Sequence, residues 1–130
     1  MRSPKFLVST SRVGVSRAGI SLKVWRILLA LTLFAILVLS LMPPSSSLPT
    51  TGWDKSNHML GFGTLGFLGI RSWPGRAVVV LTALLAYGGL IEILQSLTPY
   101  RSAEWADLLA DGLGLAIGLL VARVSLSIPK

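Results

Sequence analysis

Residues 24–42 read VWRILLALTLFAILVLSLM, and from Ile27 to Met42 this stretch contains no charged residue. Nineteen helical residues, each rising 1.5 Å, extend about 28 Å, which is close to the roughly 30 Å hydrocarbon core of a bilayer. The stretch therefore predicts a transmembrane helix. A retained anchor is favoured over a cleaved signal peptide, because residues 39–44 offer no small-x-small cleavage site and further apolar segments follow.

Three further apolar segments extend this pattern to an all-α fold, a four-helix transmembrane bundle. The predicted helices are at about 24–42, 53–70, 77–97 and 103–124, and together they form one membrane domain over residues 24–124. Turns rich in Pro, Gly and Ser separate them. Residues 1–23 are basic, rich in Ser and free of acids, which predicts a cytoplasmic N-terminal arm. Residues 125–130 are predicted to be a cytoplasmic tail.

The composition supports a membrane protein whose main partner is the lipid bilayer. Hydrophobic residues make up 52% of the chain and charged residues only 13%, whereas soluble domains have about a quarter charged residues. The net charge of +7 does not indicate nucleic-acid binding, because six of the twelve basic residues precede the first apolar run and the others are scattered. The absence of cysteine excludes a disulfide framework, a thiolate metal site and a cysteine nucleophile.

The distribution of basic residues predicts the orientation in the cytoplasmic (inner) membrane. Loops rich in Lys and Arg stay on the cytoplasmic side. Ten of the twelve basic residues fall in one of three places: the N-terminal arm with the first turn of helix one, the loop between helices two and three, or the C-terminal end. Only Lys55 and Arg101 fall on the other side. Both termini are therefore predicted to be cytoplasmic, as four crossings also require.

Polar residues of three predicted helices and one loop should meet at the outer side of the membrane. Charged groups within a bilayer are costly, so they face one another or a cavity and often mark functional sites. We therefore predict an outward-facing polar pocket. His58 and Arg101 are the candidate partners for Glu92, the one charge in helix three. The candidate site residues are Asp54, Lys55, His58, Glu92, Gln95, Arg101, Asp107 and Asp111.

The spacing of these residues resembles the VanZ family. The family pattern runs D-K-x-x-H, then E-x-x-Q, P-x-R and D-x-x-x-N-x-x-G-x-x-x-G. This sequence has DKSNH at 54–58, EILQ at 92–95, PYR at 99–101 and DLLADGLG at 107–114, followed by Gly118. Phe62 stands where the family often has Tyr, and Asp111 stands where Asn is common. The resemblance implies a multi-pass membrane protein, and the family's founding member is associated with low-level resistance to the glycopeptide teicoplanin.

Three functions are compatible with the predicted pocket. The favoured one is binding to, or action on, a cell-envelope component such as a polar lipid or the headgroup of a cell-wall precursor. The second is an integral-membrane hydrolase or transferase that uses His58 together with carboxylates. The third is a structural subunit in which the polar cluster only docks helices.

The residue types of the pocket bear on its cofactors. The sequence predicts no organic cofactor, and it contains no compact metal-binding motif. His58, Glu92, Asp107 and Asp111 are nevertheless the residues that would hold a divalent cation, because imidazole and carboxylate groups are ordinary ligands for such ions.

The predicted topology can be tested by cysteine labelling, because the chain has no cysteine of its own. We expect a membrane-impermeant thiol reagent to label single cysteines at positions 48 and 100 in intact cells. A cysteine at position 74 should be labelled only after the membrane is permeabilised. Labelling at position 74 alone in intact cells would reverse the orientation.

Overall fold

The computed structural model describes residues 19–43 and 54–127, which contain four α-helices and no strand. The helices are α1 (Leu22–Leu41), α2 (Asp54–Ser72), α3 (Ala77–Ser96) and α4 (Trp105–Ser127). This confirms the predicted all-α fold. The predicted arm lies mostly outside the described residues, as do most of the first loop and the last three residues.

Three of the four helices are long and apolar enough to cross a membrane, namely α1, α3 and α4. Much of their surface is apolar and exposed, for example Phe34 in α1 and Val78 in α3, as expected for helices in contact with lipid. The second helix was also predicted to cross the membrane. It is less apolar because polar residues occupy its first turns and glycines replace larger side chains. It packs against each of the other three helices.

The ends of α1 follow from local chemistry. The Ser21 side chain accepts a hydrogen bond from the backbone N–H of Val24 and so caps the first turn. The helix ends just before Pro43, which cannot continue a helical hydrogen-bond pattern. Only Leu29 of this helix is buried, so most of α1 faces outward.

The tightest helix pair is α2 with α4, where glycines bring the two backbones into contact. A Cβ atom built at Gly114 would collide with the carbonyl oxygen of Met59, and one built at Gly118 would collide with that of Gly63. A Cβ atom at Gly66 would lie 3.0 Å from the carbonyl oxygen of Leu115. Small residues permit such close packing of helices in membranes.

The two ends of the bundle differ in chemistry. At the end formed by the start of α1 and the end of α2, Arg26 stacks over Trp73 at 5.1 Å and Arg71 over Trp25 at 4.8 Å. Arginine paired with tryptophan suits a membrane–water interface. The opposite end contains the end of α1, the start of α2, the end of α3 and the start of α4. It carries the acidic residues and is called the acidic end below.

Replacing Gly118 with alanine tests the α2–α4 contact. Gly118→Ala forces the two helices apart, and we expect a loss of about 1–3 kcal/mol of unfolding free energy, as for other overpacked sites. Gly112→Ala in the same helix is the matched control, because a Cβ atom there meets nothing within 4 Å. Denaturant titration in detergent micelles would measure both variants. Equal unfolding midpoints would contradict the close packing.

Candidate functional site

The acidic end brings together the polar residues that the sequence analysis singled out. Asp54 and His58 lie in the first two turns of α2, Glu92 and Gln95 in the last two turns of α3, and Asp107 and Asp111 in the first two turns of α4. Each pair is three or four residues apart, so both side chains project from one face of their helix. Arg101 lies in the connection between α3 and α4.

The centre of the site is a buried histidine–carboxylate pair. His58 Nδ1 lies 2.9 Å from Asp111 Oδ1, and Asp111 has 0% of its surface exposed. An ionised Asp111 carboxylate can only accept hydrogen bonds, so the imidazole donates from Nδ1; the neutral imidazole then keeps its lone pair on Nε2. Asp111 Oδ2 has no hydrogen-bond partner among the described residues.

Gly88 makes room for Asp111 and was missed by the sequence analysis. A Cβ atom at Gly88 would lie 2.5 Å from Asp111 Oδ2 and 3.1 Å from the ring of Phe62. The available signal was its position four residues before Glu92, on the same face of α3. Phe62 itself is almost fully buried and contributes no hydroxyl group to Asp111.

Asp107 is the second buried carboxylate of α4 and is only 4% exposed. Its Oδ2 lies 3.9 Å from His58 Nε2, and its Oδ1 lies 3.7 Å from Lys55 Nζ. Both distances exceed that of a hydrogen bond. Lys55 instead makes its short contact, 3.0 Å, with Glu104 Oε2. Glu104 was not among the candidate site residues.

Glu92 is held by the backbone rather than by a cation. The N–H of Glu104 donates to Glu92 Oε2 at 3.0 Å, just before α4 begins. His58 and Arg101 had been the expected partners. The chain instead presents a free backbone donor to this oxygen, as the N-terminus of a helix ordinarily does. Glu92 is 7% exposed, and its Oε1 has no hydrogen-bond partner in the described part of the chain.

Two predicted site residues make contacts with neighbouring elements of the bundle. Gln95 Nε2 donates to the carbonyl oxygen of Ser40 at 3.0 Å, which fixes the last turn of α1. Arg101 Nη1 lies 3.8 Å from Asp54 Oδ1, a long and partly exposed contact. Tyr100, which was not among the candidates, donates to the carbonyl oxygen of Leu41 at 3.2 Å.

A groove of about 520 Å³ lies between α3 and α4 beside Glu92. Most of its lining is apolar, including Leu90, Ile93 and Leu108, and the exposed Trp105 stands at its edge. Glu92, Ser96 and Glu104 are its polar lining residues. The groove therefore joins an apolar surface to one of the buried carboxylates.

The fold and the site together define a helical membrane protein with a buried histidine–carboxylate cluster at one end. The model of the VanZ/LLP1 family matches residues 6–126, nearly the whole chain, and the chain belongs to that family. This confirms the resemblance found in the motifs. Comparison with curated proteins and with solved structures gave no match.

Replacing Gly88 tests the geometry around Asp111. Gly88→Ala should push the Asp111 carboxylate away from His58, because the added methyl group occupies the space of Oδ2. Gly89→Ala is the matched control, since a Cβ atom there meets nothing within 4 Å. His58 is the single histidine of the chain, so its ¹⁵N NMR signals can be followed alone. We expect the Nδ1 signal to shift in Gly88→Ala only; identical spectra for the two variants would contradict this placement.

Proposed function

We propose that this VanZ/LLP1 family protein binds a polar lipid of the cell envelope, or the lipid-linked headgroup of a cell-wall precursor. The hydrocarbon chain lies in the α3–α4 groove, and the headgroup reaches the acidic end. The observation that carries the proposal is the position of Glu92. Its buried Oε1 has no hydrogen-bond donor among the described residues, and the residue lines an apolar groove.

The energetics of Glu92 favour a ligand that donates hydrogen bonds. A buried acceptor without a donor costs about 1–3 kcal/mol, and more when it is charged. An amine or hydroxyl group of a lipid headgroup would remove this cost at Oε1. The acidic end contains five acidic residues against Lys55, Arg101 and His58, so its charge also favours a cationic or donor-rich headgroup.

The location of the groove supports lateral entry of a lipid from the bilayer. Its walls are the outward faces of α3 and α4, two helices that are apolar and long enough to cross a membrane. Ile93 and Trp105 are exposed there, so a hydrocarbon chain can lie against them without first crossing water. Tryptophan at this level also suits the boundary between hydrocarbon and headgroups. With the predicted topology, the ligand would belong to the outer leaflet.

A purely structural role for the cluster accounts for only part of it. Gln95 and Tyr100 do dock α1, as a packing role requires. Glu92, Asp107 and Asp111, however, each keep one buried carboxylate oxygen without a hydrogen bond in the described structure. A cluster that served only packing would be expected to satisfy these atoms, because unpaired buried polar groups are destabilising. This imbalance supports a binding role.

The family membership suggests what the binding does in the cell. Capture of a cell-envelope lipid or precursor at the outer surface would alter how that component is presented there. Teicoplanin tolerance, which the resemblance to the VanZ family implies, is a phenotype of the kind that such a change would produce. Complementation of a deletion strain, with protein levels measured alongside, would test this cellular part.

Lipid binding itself can be measured by native mass spectrometry of the purified full-length chain in detergent. The probes are phosphatidylethanolamine and phosphatidylglycerol with identical acyl chains, which compare an amine with hydroxyl groups. We expect phosphatidylethanolamine to bind more tightly. Glu92→Leu should weaken it at least tenfold, about 1.4 kcal/mol, while leaving the protein folded. Replacing Glu92 removes a buried charge, so membrane insertion of the protein should not be impaired.

A variant that fills the groove provides an independent check. Ala86→Trp places a large ring in the groove and should reduce lipid binding by a similar factor. Ala83→Trp is the matched control, because Ala83 is also exposed on α3 but does not line the groove. Wild-type binding in both Glu92→Leu and Ala86→Trp would refute the proposed site.

A further inference from the structure

We propose that Asp54, His58 and Asp107 bind a divalent transition-metal ion, such as Zn²⁺ or Mn²⁺, at the acidic end. Each residue offers one ligand atom, and these atoms lie within 4.8 Å of one another. Ligands bound at about 2.0–2.2 Å in a tetrahedral site lie roughly 3.4 Å apart. The His58–Asp107 distance of 3.9 Å is already near this value. Asp54 is 56% exposed in its side chain and can rotate inward.

The orientation of His58 is the one that a metal-binding histidine needs. Histidine ligands usually donate their second ring N–H to a carboxylate, which fixes the ring and its tautomer. Asp111 provides this carboxylate at 2.9 Å from Nδ1. The other nitrogen, Nε2, lies 3.9 Å from Asp107 Oδ2 and offers a lone pair to a metal ion when the imidazole is neutral. Asp111 is therefore a positioning residue, and His58 is the ligand.

Asp107 supplies the independent observation that a ligand is needed here. Its side chain is 5% exposed, and its Oδ1 accepts no hydrogen bond from any described residue. The nearest cation is Lys55 Nζ at 3.7 Å, and that group is already bonded to Glu104 at 3.0 Å. A buried carboxylate without a close partner is costly. Oδ2 of the same carboxylate faces His58 Nε2, so a metal ion bound there would place its positive charge beside Oδ1 and reduce this cost.

The set of ligands indicates the kind of metal centre. One imidazole nitrogen and two carboxylate oxygens suit borderline divalent ions such as Zn²⁺ and Mn²⁺. Three protein ligands leave at least one coordination position for water or another oxygen ligand, as in catalytic rather than structural zinc sites. Asp54 is the exposed member of the set, so the open position would face the entrance of the site. Glu92, proposed from the sequence as a further ligand, does not belong to this group of three.

Metal binding can be tested on the purified full-length chain in lipid-free detergent, with Zn²⁺ and Mn²⁺ as the probes. We expect about one equivalent of Zn²⁺ to bind by calorimetry, and Mn²⁺ to compete for it. In ¹⁵N NMR spectra, Zn²⁺ should shift Nε2 of His58 far more than Nδ1. His58→Gln and Asp107→Asn should each weaken Zn²⁺ binding at least a hundredfold. Asp54→Asn, at an exposed position that cannot disturb the core, should weaken it at least tenfold.

Three further variants separate metal binding from a purely structural role of Asp111 and from lipid binding. Asp111→Leu should weaken Zn²⁺ binding about 10- to 100-fold, as is typical for partners of metal-binding histidines, whereas Asp111→Asn should largely preserve it through its amide oxygen. Glu92→Leu should bind Zn²⁺ as the wild type does, so the metal site can fail or succeed independently of lipid binding. No stoichiometric binding to the wild type, or binding unchanged by both Asp54→Asn and Asp107→Asn, would overturn the proposal.

Discussion

The backbone contact between α2 and α4 is the constraint on which the site depends. Gly114 lies against Met59, and Gly118 lies against Gly63, with no space for a side chain between them. This contact fixes the axial position of one helix relative to the other. His58 directly precedes Met59, and the residue one turn before Gly114 is Asp111. The 2.9 Å contact between His58 and Asp111 is therefore a consequence of how the glycines pack, and it could not survive a wider helix separation.

This packing also explains how a polar helix fits into an apolar bundle. The residues of α2 are less apolar than those of its three neighbours, and its histidine and glycines would be poorly suited to lipid. In a medium of low dielectric constant a polar group is stabilised only when it is paired, and unpaired groups are costly. The bundle pairs Lys55 with Glu104 and Gln95 with the α1 backbone, yet three buried carboxylate oxygens keep no hydrogen bond in the part of the chain described. The polar groups of the site are therefore of two kinds: those whose hydrogen bonds hold the bundle together, and those with an unpaired oxygen that a ligand could contact.

The sequence predicted the four helices and the end at which the polar residues meet, because apolar length, prolines and up-and-down connections determine both. It did not predict which hydrogen-bond partners the polar side chains have. The spacing of residues in a helix gives the turn on which a side chain lies, but the rotation between helices depends on the glycine contacts. For this reason Glu92 was expected to meet His58 or Arg101 and instead accepts from the Glu104 backbone. The position of Gly88 before Glu92 placed it on the site face of α3, but its role depends on Asp111 of another helix and so did not follow from the sequence of α3 alone.

The first turn of α4 and the residue before it connect the α3–α4 groove with the proposed metal ligands. Trp105 and Leu108 face the groove, whereas Asp107 faces His58. Glu104 contacts residues of both regions. Its N–H donates to Glu92 beside the groove, and its carboxylate binds Lys55, whose Nζ lies 3.7 Å from Asp107 Oδ1. A headgroup bound at Glu92 would thus lie against the same segment that presents Asp107. The proposed lipid recognition and the proposed metal binding depend on different side chains, but both would use the start of α4, whose position is set by the glycines that hold α4 to α2.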